Sequence, residues 1–326
     1  MTDRADRPAR VLGDVGGTNA RFALQDGDGQ PLHDIATLST DDYPSLGAAL
    51  ADYLKRLGQP APPWCAIGIA NPITGDRVQM TNHHWSFSIS ELQKELGFQR
   101  LVVVNDFTAL ALALPELAPD EVRQFGGGAP ASGTPIALLG PGTGLGVSGL
   151  VPVPHGGGWT PLQGEGGHVT LAADNDREAA VIAELRAAYG HASAERALSG
   201  PGLEALYAVL CKLDGVTAEK LTAAQISAAA LGHDKPPTRA QCAEAVAMFC
   251  ALLGSVAGNL ALTLGARAGV YVGGGIVPRL GDLFTQSAFR ERFEAKGRFR
   301  DYLTQIPVFV IHADVSPALL GASRAL

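Results

Sequence analysis

Short uninterrupted apolar runs alternate along this chain with segments whose apolar residues recur at helical spacing. Val11 to Asp14 predicts a buried strand, a Gly-Gly turn follows, and a second strand runs through Phe22 to Leu24. Leu32 to Leu38 is a third extended segment. From Ser45 to Leu57 the apolar positions Leu46, Leu50, Tyr53, Leu54 and Leu57 line one helix face, and Gly58 with Pro60 stops that helix. Cys65 to Ala70 predicts a strand and Ile89 to Leu96 a short helix. Leu101 to Val104 is apolar throughout, which places that strand inside a sheet. A helix begins near Asp106 and stops at Pro115.

The stretch Pro119 to Pro135, rich in Gly, Pro and Ala, predicts a boundary. The pattern then restarts with a strand at Ile136 to Leu139, a Gly-rich turn and a strand at Gly146 to Val151. A slide of 125 positions lays Gly17-Thr18 on Gly142-Thr143, each turn sitting between two strands. Asp14 then falls on Leu139, so its carboxylate is not repeated. Two halves with one turn each and a single acid suit a clamp around one metal-bound phosphate. Helices follow at Arg177 to Tyr189, Gly202 to Lys212 and Thr222 to Leu231, with strands at Gly269 to Val272 and Val308 to Ile311. Between them, Ala245 to Ala266 carries no charge and is long enough to span a bilayer. Ser255, Asn259, Thr263 and three glycines interrupt it, so a buried helix is the preferred reading.

The length of 326 residues predicts two domains. With 25 basic against 32 acidic residues the net charge is -7, which argues against nucleic acid as a partner. Cys65, Cys211, Cys242 and Cys250 form no C-x-x-C pair and read as reduced thiols. The charged N-terminus lacks an apolar core, so a cytoplasmic protein without membrane attachment is expected, its first eight or so residues loose. No P-loop sequence occurs. Gly144, Gly146 and Gly149 satisfy G-x-G-x-x-G, but prolines follow where a dinucleotide site needs a helix.

Six short segments carry candidate chemistry. In Gly13-Asp14-Val15-Gly16-Gly17-Thr18 the paired glycines can turn backbone N–H groups toward anionic oxygen, and Asp14 can hold Mg²⁺ through water; an ordinary hairpin is the alternative. Gly140 to Gly146, including Gly142, Thr143 and Gly144, is a second such turn. Asn105-Asp106 stands where a strand ends and a helix begins, a position that fits either a helix cap or a ligand site. Glu165 and His168 in Gly-Glu-Gly-Gly-His can reach one small polar ligand, or simply face water. Glu195 is open to a surface salt bridge. Gly273-Gly274-Gly275 after a strand suits backbone contact with a flat ligand.

Taken in order, from about Arg10 onward, these segments resemble the bacterial glucokinase family of the hexokinase, Hsp70 and actin superfamily. The resemblance implies a two-domain α/β actin-like ATPase (ribonuclease H-like) fold. A small α/β domain of residues 1–116 plus 307–326 and a larger α+β domain of residues 117–306 would flank a cleft. It implies transfer of the ATP γ-phosphoryl group to the 6-hydroxyl of glucose, giving glucose 6-phosphate and ADP. Asp106 would be the base, with Asn105, Asp106, Glu165, His168 and Glu195 on the sugar. Gly13 to Thr18 and Gly140 to Gly146 would be the phosphate loops, Gly273 to Gly275 the adenosine contact, and Asp14 the acid near Mg²⁺. A homodimer is expected. The related repressor and open-reading-frame kinase family shares G-E-x-G-H but follows the His with a zinc-binding cysteine cluster. Val169 to Ala180 has no cysteine, so zinc is not implied, and no helix-turn-helix precedes the first strand. A non-catalytic nucleotide-dependent scaffold, or a kinase of mannose or an N-acetyl hexosamine, remain the competing readings.

Overall fold

The first apolar runs form a five-stranded sheet in the order β3-β2-β1-β4-β7. Its elements are β1 (Arg10–Val15), β2 (Asn19–Gln25), β3 (Leu32–Ser39), α1 (Leu46–Leu57), β4 (Trp64–Ile69), a small hairpin of β5 (Arg77–Gln79) and β6 (Ser86–Ser88), α2 (Ile89–Glu95), β7 (Arg100–Asn105) and α3 (Asp106–Ala113). β1, β2 and β3 form an antiparallel meander, while β1, β4 and β7 are parallel. The Ser45 hydroxyl caps α1 at the Ala48 N–H, and Gly58 ends it in the left-handed conformation, as its sequence signals predict.

The chain divides into two compact units, one of Met1–Ala118 with Ala313–Leu326, the other of Pro119–His312. A computed structural model describes residues 8–58, 60–154, 157–234, 236–313 and 316–326. The loose N-terminus expected from sequence falls almost wholly outside the described residues.

The second unit runs β8 (Val122–Gln124), β9 (Ile136–Pro141), β10 (Leu145–Pro152), β11 (Trp159–Gln163), α4 (Asp176–Tyr189), α5 (Gly200–Leu213), α6 (Ala223–Ala230), α7 (Arg239–Leu264), β12 (Gly269–Val272), α8 (Ile276–Leu280), α9 (Asp282–Thr285), α10 (Phe289–Glu294), α11 (Arg300–Thr304) and β13 (Val308–Ile311). Its sheet order is β11-β10-β9-β12-β13-β8. The first five of these strands repeat the first sheet: an antiparallel meander, then two parallel strands. The repeat is therefore architectural. The last pair before each turn is Val15 with Ala20 in one sheet and Pro141 with Leu145 in the other. The second turn is one residue shorter, so the slide of 125 holds after the turn, and Asp14 corresponds to Gly140 rather than to Leu139.

One strand and one boundary differ from expectation. The Gly/Pro-rich stretch, expected at the start of the larger domain, also holds the strand β8, which pairs with β13. β13 pairs in parallel with β12 and is buried at all four residues. The chain thus returns to the first unit after His312, later than residue 307, and α12 (Pro317–Arg324) alone makes the return. The reason is geometric: one free edge beside β12 accepts an apolar strand there.

α12 docks firmly within the first unit. A side chain at Gly321 would overlap the Ala109 carbonyl of α3, so the two helices meet backbone to backbone. Arg10 Nη1 donates to Ser323 Oγ at 3.3 Å, Ser323 Oγ to Gln25 Oε1 at 2.6 Å, and Arg324 Nη2 to Glu116 Oε2 at 2.6 Å. α7 is the one helix among the described residues long and apolar enough to cross a membrane, with a mean hydropathy of 1.9 in its most apolar stretch, yet 72% of that stretch is buried inside the protein. Cβ atoms at Gly254 and Gly258 would overlap the Phe289 and Phe293 carbonyls, so α10 lies directly on it. It is the core helix of the second unit. α10 is also tied to α4: Arg292 Nη1 and Nη2 donate to Glu178 Oε1 and Oε2 at 2.5 and 3.0 Å, with both side chains buried.

Candidate functional site

The parallel strands β1, β4 and β7 bring Val15, Ile69 and Asn105 level at their carboxyl ends. The loops that follow each strand therefore gather at one sheet edge, the usual ligand edge of such sheets. After β1, the Gly16 N–H donates to the Asn19 carbonyl at 2.9 Å and closes the first turn. Thr40 grips it from the side, its hydroxyl donating to the Gly17 carbonyl at 2.8 Å and its N–H to the Thr18 carbonyl at 3.0 Å. The N–H and C=O of a trans peptide point in opposite directions. With the Gly17 carbonyl held by Thr40, the Thr18 N–H faces the other side of the loop. Gly17 is also close-packed, because a Cβ there would stand 3.0 Å from the Asn82 carbonyl. Asp14 projects beside this turn, 15% exposed, with Oδ2 3.4 Å from Arg21 Nη1 across the hairpin.

Asn105 and Asp106 separate two roles that the sequence left joined. Asn105 is the cap of α3: its Oδ1 accepts from the Phe107 N–H at 2.9 Å and the Thr108 N–H at 3.1 Å. Asp106 is the first helical residue, half-buried, and its Oδ1 also accepts from the Phe107 N–H at 2.9 Å. Gly68 on β4 permits this close start, since a Cβ there would come within 3.0 Å of Ala109 Cβ and 3.6 Å of Asp106 Cα. Asn71, not among the residues expected at the site, stands beside this pair, its carbonyl accepting from Asn105 Nδ2 at 3.5 Å. Its own Oδ1 accepts from the Thr81 N–H at 3.0 Å and hydroxyl at 2.9 Å. The Asn-Pro pair at the end of an apolar strand was the available signal.

The second unit builds a parallel arrangement. After β9, the Gly142 N–H donates to the Gly144 carbonyl at 2.8 Å, and the Gly142 carbonyl accepts from the Gly200 N–H at 2.8 Å. The Thr143 N–H therefore faces away from α5, in the same relation to its loop as Thr18 to the first. After β12, the Gly273 N–H donates to the Leu139 carbonyl at 2.8 Å. Gly274 has φ 78°, and a side chain there would overlap the Pro141 carbonyl, so glycine is required twice over. The Gly140 to Gly146 turn and the Gly273 to Gly275 turn thus lie against each other.

Glu165, His168 and Glu195 also meet here. Gly166 to His168 is one tight turn, closed by the His168 N–H on the Glu165 carbonyl at 3.0 Å. Gly167 packs where a side chain would overlap the Leu145 carbonyl. The segment after the turn pairs with residues 192–195: the Ala194 N–H donates to the Val169 carbonyl at 2.9 Å and the Glu195 N–H to the Gly167 carbonyl at 2.8 Å. Glu165 and His168 are exposed and Glu195 half-buried. Glu195 Oε2 accepts from the Leu145 N–H at 2.9 Å, while Arg196 lies over the Tyr189 ring at 4.3 Å. The surface salt bridge with its neighbour is thus replaced by a contact with the second glycine turn. Among the described residues no group of three or more His, Cys, Asp or Glu is placed to hold a metal. Asp14 offers a single hard oxygen ligand beside a glycine turn, which fits an ion held mostly by water and phosphate.

The glucokinase family profile matches residues 11–326. A glucokinase of Aromatoleum aromaticum is 57% identical over 326 residues, covering 100% of this chain and 96% of that protein. One from Chromobacterium violaceum is 56% identical over 318 residues, covering 97% of this chain and 89% of the other. Among solved structures, a glucokinase from an Antarctic psychrotroph superposes with a TM-score of 0.86 at 37% identity, over 98% of each chain.

Proposed function

The chain belongs to the glucokinase family, and from that premise we propose how its residues carry the γ-phosphoryl group of ATP to the 6-hydroxyl of glucose. A sugar hydroxyl is a weak nucleophile at neutral pH, and a carboxylate that takes its proton as the new bond forms supplies the missing driving force. Asp106 has that role. The observation that carries it is its place: Asp106 opens α3 directly after the carboxyl end of β7, while the capping of that helix is done by Asn105.

The remaining work is positioning and charge neutralisation. The Thr18 and Thr143 N–H groups, each turned outward by a donor on the preceding carbonyl, are donors for phosphate oxygens. Gly273 to Gly275 leaves an uncluttered backbone surface for adenosine. Asp14 is the residue that would hold Mg²⁺, and the bound ion would supply positive charge to the phosphates. Glu165, His168 and Glu195, with Asn105, orient the sugar hydroxyls, each of which both donates and accepts. Such a site rejects sugars lacking one hydroxyl more strongly than an apolar pocket does.

The test is calorimetric titration of glucose and of a non-hydrolysable ATP analogue against Glu165→Gln and His168→Ala, beside a coupled assay over glucose, mannose and N-acetyl hexosamines. Each variant should bind glucose about 10-fold more weakly or worse, as expected when a hydrogen bond to a charged or polar group is lost, with nucleotide affinity little changed. Equal losses for both ligands would remove these residues from the sugar site.

A further inference from the structure

The segment Glu195 to Gly200 touches both halves of the chemistry in the second unit. At its start, the Glu195 N–H donates to the Gly167 carbonyl at 2.8 Å, which fixes it to the turn bearing Glu165 and His168. Its Oε2 accepts from the Leu145 N–H at 2.9 Å, at the downstream end of the second phosphate loop. At its finish, the Gly200 N–H donates to the Gly142 carbonyl at 2.8 Å, at the upstream end of the same loop. Ser199 Oγ donates back to the Glu195 carbonyl at 2.9 Å and holds the segment in one piece. Gly144 completes the contact, because a Cβ there would stand 2.5 Å from Glu195 Oε2.

Glu195 therefore has one carboxylate oxygen committed to the phosphate loop. We propose that Glu195 is a positioning residue that transmits sugar occupancy to the second phosphate loop, so that glucose tightens nucleotide binding through it. A hydroxyl bonded to Oε1 fixes the plane of the carboxylate. With the plane fixed, Oε2 holds the Leu145 N–H in place, and the Gly142 to Gly144 turn is ordered before ATP arrives. The ordering cost then falls on the sugar, and the nucleotide binds an already ordered loop. This rests on the reading of Glu195 as a sugar contact.

The experiment measures the Kd of a non-hydrolysable ATP analogue without glucose and with saturating glucose, and the glucose Kd, in wild type and three variants. The wild-type ratio is expected to be about 5-fold or more, the ordinary range of coupling between two sites. Glu195→Gln keeps an amide oxygen for the Leu145 N–H but presents a donor to the sugar. It should weaken glucose about 10-fold and keep the wild-type ratio at saturation. Glu195→Ala should weaken glucose and abolish the ratio. Gly144→Ala keeps the carboxylate but pushes Oε2 off the loop, so glucose affinity should stay within about 3-fold while the ratio collapses toward one. A wild-type ratio in Gly144→Ala or Glu195→Ala, or no coupling in wild type, overturns the proposal. Unchanged glucose affinity in Glu195→Gln overturns instead the sugar contact beneath it. The Gln-against-Ala contrast still decides the matter if the Gly144 variant does not fold.

Discussion

Replacing Asp106 by Asn is expected to lower kcat by about 10²-fold or more, the usual loss when a positioned general base is removed, with the Tm close to wild type. Asn is nearly isosteric and keeps an oxygen for the Phe107 N–H that Asp106 Oδ1 accepts. The cap of α3 belongs to Asn105 and is untouched. What the change removes from stability is the attraction of one negative charge to a helix N-terminus, about 0.3–1 kcal/mol. The proton acceptor, by contrast, is lost entirely. Steady-state kinetics and thermal unfolding on one preparation check both halves of the claim. Wild-type turnover in Asp106→Asn would take the residue out of the mechanism. A large fall in Tm would return it to a structural role.

The reverse profile is expected of Glu178→Ala, which leaves the chemistry alone and strikes the second unit. Glu178 and Arg292 have side chains only 4% and 10% exposed and share two hydrogen bonds. Removing Glu178 takes both hydrogen bonds from Arg292 and leaves it only the exposed Asp174 carboxylate at 3.6 Å, at a cost of about 3–5 kcal/mol. That corresponds to a fall in Tm of about 6–20 °C at roughly 2–4 °C per kcal/mol for a unit of this size. The exposed Arg56–Asp52 pair on α1 offers the control, since such surface pairs contribute about 0–1 kcal/mol. Burial pushes the Glu178 carboxyl up, but the Arg292 guanidinium and the Asp174 N–H outweigh it and hold the group below its ordinary value. A depressed carboxylate stabilises the fold above the unfolded value and loses that contribution as pH falls through the folded one. The Tm gap between wild type and Glu178→Ala should thus be widest near neutral pH and narrow in acid. A Glu178→Ala Tm within 2 °C of wild type would sink the argument.

The repeated strand–turn–strand was visible in the chain because its signals are local. Apolar strands flank Gly16-Gly17 and Gly142-Thr143, and a turn announces itself by its own residues. The pairing of β13 was not, because Val308 to Ile311 is apolar on both faces and would suit the interior of either sheet. β8 has only three residues, two of them exposed, within a Gly/Pro-rich run, so periodicity has nothing to act on. At Asn105-Asp106 the residue types were legible and their division of labour was not, since either side chain can cap a helix. Glu195 was recognisable only through resemblance. Its hydrogen bond to Leu145 spans 50 positions, and no short-range pattern encodes such a contact.

The topology also sets an order of assembly. The second unit is inserted into the first, between α3 and α12, and its two ends are neighbours: Val122 stands opposite Ile311, and the His312 N–H donates to the Glu121 carbonyl at 2.7 Å. Bringing residues 118 and 313 together in a disordered chain costs about 4.7 kcal/mol of loop-closure entropy by the logarithmic rule. Once the inserted unit has folded, its β8–β13 pairing holds those ends side by side and that cost has vanished. α12 then needs only to settle Gly321 onto Ala109 and engage Arg10 and Gln25, more than 290 residues away in the chain. Pulse-labelled hydrogen exchange during refolding should therefore protect β13 before α12. Simultaneous or reversed protection would mean that the first unit closes without help from the second.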